Sequence, residues 1–230
     1  MADRTGISVD VVSDVVCPWC FIGQRRLTKA IEEAADVDVT VRWRPYQLDP
    51  SIPAGGLDRK EYMVAKFGGE ERLKSAHTHL LEAAQNDDIA FALADIKVSP
   101  NTLDAHRVIR WAGGSEVNRQ SAVVAGLFSA YFEQGRNVGD PEVLIDVAGK
   151  AGMDTAIVET LLATDSDRDS VREEIETAQR MGITGVPCFL LESRYAVVGA
   201  QDSALLADAI RRVAAAKADG TLDQPAQQTG

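Results

Sequence analysis

The spacing of apolar residues along this chain changes period several times, and each change marks an element. Ile7 to Val12 is rich in β-branched residues and reads as a strand. From Pro18 to about Ala35 the apolar positions Ile22, Leu27, Ile31 and Ala34 recur at helical spacing. Val37 to Trp43 alternates and predicts a second strand, parallel to the first because a helix joins them. Arg44 to Gly56 then carries three prolines and two glycines and reads as a connector.

From Asp58 to about Ala163 the period is helical. Tyr62, Phe67, Leu73, His77, Leu80, Leu81 and Ala84 mark one or two helices, and Ile89 to Val98 is irregular with Phe91 and Leu93 as buried anchors. Ser99-Pro100-Asn101 starts a helix that Gly113-Gly114 stops. Glu116 to Gln134 predicts another, with Val123, Val124, Leu127, Phe128 and Tyr131 inward, and Asp140-Pro141 and Asp154 open two more. No strand signal interrupts this block. Asp167 to Met181 is again helical. Gly182 to Leu191 is a loop running into a strand, Glu192 to Arg194 turns the chain, and Tyr195 to Val198 completes a hairpin. Asp202 to about Lys217 is a closing amphipathic helix, and 218–230 is expected to be a flexible tail. The order predicts an α/β fold: residues 1–57 and 172–217 build one sheet domain, and 58–171 form an all-helical insertion.

Composition narrows the classes. At 230 residues with 45% hydrophobic content the chain can bury a sizeable core. A net charge of −11 without a basic run leaves no footprint for nucleic acid. No stretch is long and apolar enough to span a membrane. Met1 to Gly6 has no apolar h-region, so no signal peptide is expected. Three cysteines do not make a secreted disulfide scaffold, and a cytoplasmic enzyme is the simplest fit.

Two of those cysteines carry the candidate chemistry. Cys17-Pro18-Trp19-Cys20 falls where the first strand hands over to the first helix. Pro18 suits the first helical position, which places Cys17 at the N-cap. Helix amides and the helix dipole there favour a thiolate, so Cys17 is the expected nucleophile. Cys20, one turn on and deeper, suits the resolving role. A disulfide this short removes little chain entropy and would be a poor staple. A zinc site needs a second ligand pair, and Cys188, His77, His79 and His106 do not supply one at suitable spacing, so no metal is expected. Cys188 reads as a small apolar strand residue, and Asp14 as a turn or cap residue. Gly185-Val186-Pro187 fits either an ordinary trans turn or a cis bond.

Taken together, Asp14 to Gly23, Asn101-Thr102-Leu103-Asp104-Ala105-His106-Arg107, Gly185-Val186-Pro187 and Gly199-Ala200-Gln201 resemble motifs of the thioredoxin superfamily. The helical block points to its DsbA-like branch, and more narrowly to cytosolic FrnE-type oxidoreductases. The resemblance covers roughly Ile7 to Ala215. It implies a thioredoxin fold with a large helical insertion and a thiol–disulfide oxidoreductase with Cys17 exposed as nucleophile and Cys20 resolving. It implies a cis Val186-Pro187 bond that turns Val186 toward an extended substrate strand. Trp19, Val186, Pro187, Asn101 and His106 are then the expected substrate-binding residues. The expected partners are protein or small-molecule disulfides and thiols. No cofactor is expected beyond the redox-active disulfide, with glutathione as an optional co-substrate, and the chain is expected as monomer or homodimer. Trp19 stands where DsbA has His, so a potential between about −120 and −270 mV is expected.

Two rival readings differ in class. Glutathione-dependent 2-hydroxychromene-2-carboxylate isomerases and kappa-class transferases share this architecture, but carry Ser where this chain has Cys17. A metal-carrying or chaperone-like binding protein would use Cys17, Cys20 and Cys188 without turnover.

Overall fold

β1 (Gly6–Ser13) is an inner strand of the main sheet, and its sequence explains why. Ile7, Val9 and Val11 face one side, while Asp10 and Val12 face the other, and all five are buried. α1 (Pro18–Glu33) returns the chain to β2 (Asp38–Pro45), which pairs parallel with β1 from Gly6↔Asp38 to Ser13↔Pro45. Arg44 and Pro45 therefore belong to the strand and not to the connector. The computed structural model describes residues 5–114 and 117–222.

The next block runs through β3 (Leu57–Asp58), α2 (Arg59–Phe67), α3 (Glu70–Ala83), β4 (Val98–Ser99) and α4 (Leu103–Gly113). It continues through α5 (Gln120–Phe128), a π turn (Ser129–Glu133), α6 (Pro141–Lys150), α7 (Thr155–Leu162) and α8 (Arg168–Arg180). The block is not all helix. Leu57 and Asp58 pair antiparallel with Ser99 and Val98, a ladder too short to leave a periodic signal. The helix expected from Glu116 begins at Gln120 and ends in the π turn; Glu116 itself lies outside the described residues. Leu81, expected inward, is exposed beside the buried Leu80. α8 runs through residues 171 and 172, where the insertion was expected to end.

β5 (Cys188–Leu191) pairs antiparallel with β1, and β6 (Tyr195–Val198) with β5, so the sheet order is β2-β1-β5-β6. α9 (Ser203–Ala218) packs beside α1. Ala218 thus belongs to a helix, and the expected tail lies outside the described residues from 223 on. Leu206, Ala207 and Ile210 join Ile7, Val9, Val11, Phe189 and Leu191 in one core. On the opposite face Val12 and Cys188, register partners, pack with Tyr46, Ala178 and Ile183.

Two attachments seat the helical block on the sheet layer. Phe21, on α1, stacks on Phe128 at 5.2 Å and meets Phe91 edge-on at 5.9 Å. Arg26, one face along, chelates Asp87 at 3.0 and 3.1 Å and donates to the Ala83 and Ala200 carbonyls at 2.8 Å each.

Candidate active site

Cys17 caps α1 with extended backbone (φ −91, ψ 112), and Pro18 follows in the first turn. Its carbonyl accepts from the Cys20 and Phe21 amides, which starts the helix, and its own amide donates to the Asp14 carbonyl at 3.0 Å. The three cysteines are free thiols. Cys17 is only 4% exposed, so it is not the open sulfur that the resemblance implied. It is reached through a cleft, and its thiol is directed at the Val186 carbonyl at 3.7 Å. Cys20 is more enclosed, at 1%. Burial pushes its thiol well above the usual 9.0, and the hydrogen bond and charge of Cys17 push it the same way.

The Val186-Pro187 bond is cis. The Pro187 carbonyl is held by the Gly199 amide at 2.8 Å. Gly23 allows α1 to lie against this loop: a Cβ there would stand 2.9 Å from Pro187 Cγ and 3.1 Å from Phe189 Cζ. The motif Gly199-Ala200-Gln201 thereby acquires a physical role. Gly199 holds Pro187, Ala200 accepts from Arg26, and Gln201 Nε2 donates to the Val198 carbonyl.

The cleft over Cys17 measures ≈ 460 Å³. Its floor is Cys17, Pro18, Trp19 and Val186, with Trp19 at 40% exposure. α2 and α3 supply the facing wall through Arg59, Tyr62, Met63, Phe67, His77 and Leu80, and Tyr131 reaches it from the π turn. The helical block therefore covers the N-terminal end of α1. His77 stays below the usual 6.5 because it is partly buried and faces the charge of Arg59. Arg59, Met63 and Tyr131 were missed as site residues, because a periodicity of apolar positions says which face is buried and not which loop it meets.

Asn101 and His106 do not line this cleft. Asn101 donates to the Ile52 carbonyl at 2.7 Å and accepts from Gln47 and the Leu103 amide. His106 Nε2 donates to the Tyr46 carbonyl at 2.8 Å, and its ring borders a separate cleft beside Trp43 and Ile109. Both side chains are spent on pinning the connector to α4, which corrects their expected place among the substrate contacts. Arg107, 0% exposed, completes that motif by donating to the Leu161, Thr164 and Ser166 carbonyls. Asp14 is a turn residue, its carbonyl accepting from the Cys17 amide at 3.0 Å, and it is a buried one. It is 1% exposed, its Oδ2 accepts from the Leu48 amide at 2.8 Å, and His106 Nε2 lies 3.5 Å from its Oδ1. Cys188 is buried among apolar neighbours, and that burial pushes its thiol up. Among the described residues no three His, Cys, Asp or Glu side chains converge as a metal site would need, and no helix is long and apolar enough to cross a membrane.

A model of the DSBA-like thioredoxin domain matches residues 8–211. The solved structure of a probable DsbA oxidoreductase, SCO1869 from Streptomyces coelicolor, is similar at 30% identity and TM-score 0.80, covering 90% of this chain and 89% of that one. The uncharacterized protein YwbO of Bacillus subtilis (strain 168) is 28% identical over 191 residues, 80% of this chain and 86% of YwbO. The cytosolic disulfide reductase DsbM from Pseudomonas aeruginosa, solved with GSH, shares the fold at 19% identity and TM-score 0.60, covering 92% and 99% of the two chains.

Proposed function

The chain belongs to the DSBA-like thioredoxin domain family, and from that premise we propose that it is a thiol–disulfide oxidoreductase working through Cys17 and Cys20. One observation carries the reading: two free thiols one helical turn apart, the first bordering a cleft and the second sealed behind it. Cys17 attacks a substrate sulfur and forms a mixed disulfide. Cys20 then attacks Cys17, releases the substrate thiol and leaves the Cys17–Cys20 disulfide. The closed surroundings that keep Cys20 protonated delay that second step until substrate sulfur is bound to Cys17.

Trp19, Val186 and Pro187 are the substrate contacts of this reading, since all three surround Cys17. Glutathione is a fitting co-substrate by size and chemistry, as are other thiols. Three cysteines are too few for a secreted disulfide scaffold, and we assign the protein to the cytoplasm on that ground. The motifs around Cys17, Asn101 and Gly199 support the narrower FrnE-type assignment. The isomerase and transferase reading is disfavoured because Cys17 stands where that class carries Ser, and Cys20, which that class does not need, is also present.

Cysteine variants test the proposal. Cys17→Ser should abolish reduction of disulfides, whereas Cys20→Ser should accumulate partners as mixed disulfides on Cys17, read by non-reducing gels and mass spectrometry. Faster alkylation of Cys20 than of Cys17 at neutral pH would reverse the roles. Activity retained in Cys17→Ser would end the proposal.

A further inference from the structure

Arg59 opens α2 at the cleft, and among the described residues no carboxylate pairs with it. Its Nη1 donates to the Tyr131 hydroxyl at 3.0 Å, and its guanidinium lies 5.6 Å from that ring's centroid. The Tyr131 hydroxyl donates in turn to the Val98 carbonyl at 3.1 Å. Burial pushes Tyr131 up to about 12, so at neutral pH it presents an uncharged oxygen to Arg59. Tyr131 sits in the π turn, a helical distortion frequent at functional sites. Lys66, His77 and His79 border the same cleft. Of the two acids there, Asp49 accepts from Ser51 and Tyr62, while Asp14 accepts from the Leu48 amide through Oδ2 and keeps its buried Oδ1 without a hydrogen bond, 3.5 Å from His106 Nε2. The rest of the wall is mostly apolar, with Ser99 and Thr102 among it, and ≈ 460 Å³ lies within the range of small-molecule sites.

We propose that this cleft selects low-molecular-weight thiols and disulfides that carry a carboxylate, with the carboxylate on Arg59 and the sulfur at Cys17. This selectivity rests on the thiol–disulfide reading above. For a disulfide RS–SR, the Cys17 thiol gives its proton to solvent and the sulfur attacks, the S–S bond breaks, and one RS⁻ leaves and is protonated. Cys20 likewise releases a proton, attacks Cys17 Sγ and expels the second RS⁻. Two electrons pass to the substrate, leaving two RSH and the Cys17–Cys20 disulfide. A tethered guanidinium in a half-buried cleft holds a carboxylate by charge-assisted hydrogen bonds while the apolar body lies on Trp19, Met63, Phe67 and Leu80.

The test uses reduced full-length protein and three disulfides of similar size: dithiodipropionate, its diamide and cystamine. Rates of thiol loss are normalised to those of the same disulfides with free dithiothreitol. The normalised rates should fall in the order dianion, diamide, dication. The dianion-to-diamide ratio should fall about five- to tenfold in Arg59→Gln. It should also fall in the wild type as salt is raised, a readout that does not depend on the variant folding. Equal normalised rates, or a ratio that neither Arg59→Gln nor salt moves, would overturn the proposal. So would an acidic peptide disulfide that outruns dithiodipropionate, since it would show an extended chain in the cleft. If none of the three oxidises the Cys17–Cys20 pair, the oxidoreductase reading itself fails, and that outcome is distinct from a loss of charge selectivity alone.

Discussion

Gly23 is where α1 comes nearest to the loop that carries Pro187, and the contact leaves no room for a methyl group. Its would-be Cβ neighbours, the Pro187 ring and the edge of the buried Phe189, are both rigid. Gly23→Ala should therefore separate α1 from this loop and draw Cys17 away from the Val186 carbonyl. Overpacking of this kind costs about 1–3 kcal/mol. A urea titration should show the lower midpoint, and the rate of Cys17 alkylation should change with it. A wild-type midpoint together with a wild-type alkylation rate would show that the contact is slack. Helical spacing leaves position 23 unremarkable; only the fold brings Pro187 and Phe189 to it across more than 160 residues.

At the level of elements, the placement of the cap depends on a few cross-links between α1 and the segment after α3. Phe21 supplies the apolar one, through Phe91, and Arg26 the polar one. Arg26 has 16% of its side chain exposed and its partner Asp87 9%, so removing the guanidinium strands a nearly buried carboxylate. Arg26→Ala should lose roughly 3–5 kcal/mol, the usual consequence of breaking a buried pair from one side. The loss should be local as well as global. Amide exchange should rise first at residues 80–87, and the cleft should admit bulky alkylating agents to Cys17 more readily. Uniform exchange throughout the chain would indicate that Arg26 stabilises the fold without positioning the cap.

Over the whole molecule, stability against pH should form a plateau with two distinct edges. Asp49 is held below its usual 3.8 by the Ser51 hydroxyl, and Glu192 lies below 4.5 because the Ser8 amide and Lys217 outweigh its burial. A depressed carboxylate contributes stability above its unfolded pKa and loses it as pH falls through the folded one, and His77, held neutral below its usual 6.5, acts in the same direction, so the acid edge begins near 6.5 and steepens below 4.5. Cys20 and Tyr131 are raised, so their contributions are complete below the unfolded values of 9.0 and 10.0 and disappear as pH climbs through the folded ones, which for Tyr131 is about 12. Urea midpoints across pH should show this, and forming the Cys17–Cys20 disulfide should remove the Cys20 part of the alkaline edge. An oxidised and a reduced protein with the same alkaline edge would contradict the burial of Cys20. Local rules explain what was legible from the residues alone: a parallel strand pair around a helix, a Cys at an N-cap followed by Pro, helix starts at Asp140 and Asp154, and a terminal hairpin. Periodicity, caps and turn residues act within about ten positions, and each strand, cap and helix start is legible inside that range; the parallel pairing follows from the helix that joins the two strands. What the tertiary structure decided is what faces what. His106 and Asn101 carry side chains suited to a substrate, yet distant carbonyls at Tyr46 and Ile52 engage them. Arg59 and Tyr131 carry no signal in their neighbours, yet they meet in the lining of the cleft. Such pairings form only when remote segments share one core, because a hydrogen bond or an ion pair depends on separation in space and not along the chain.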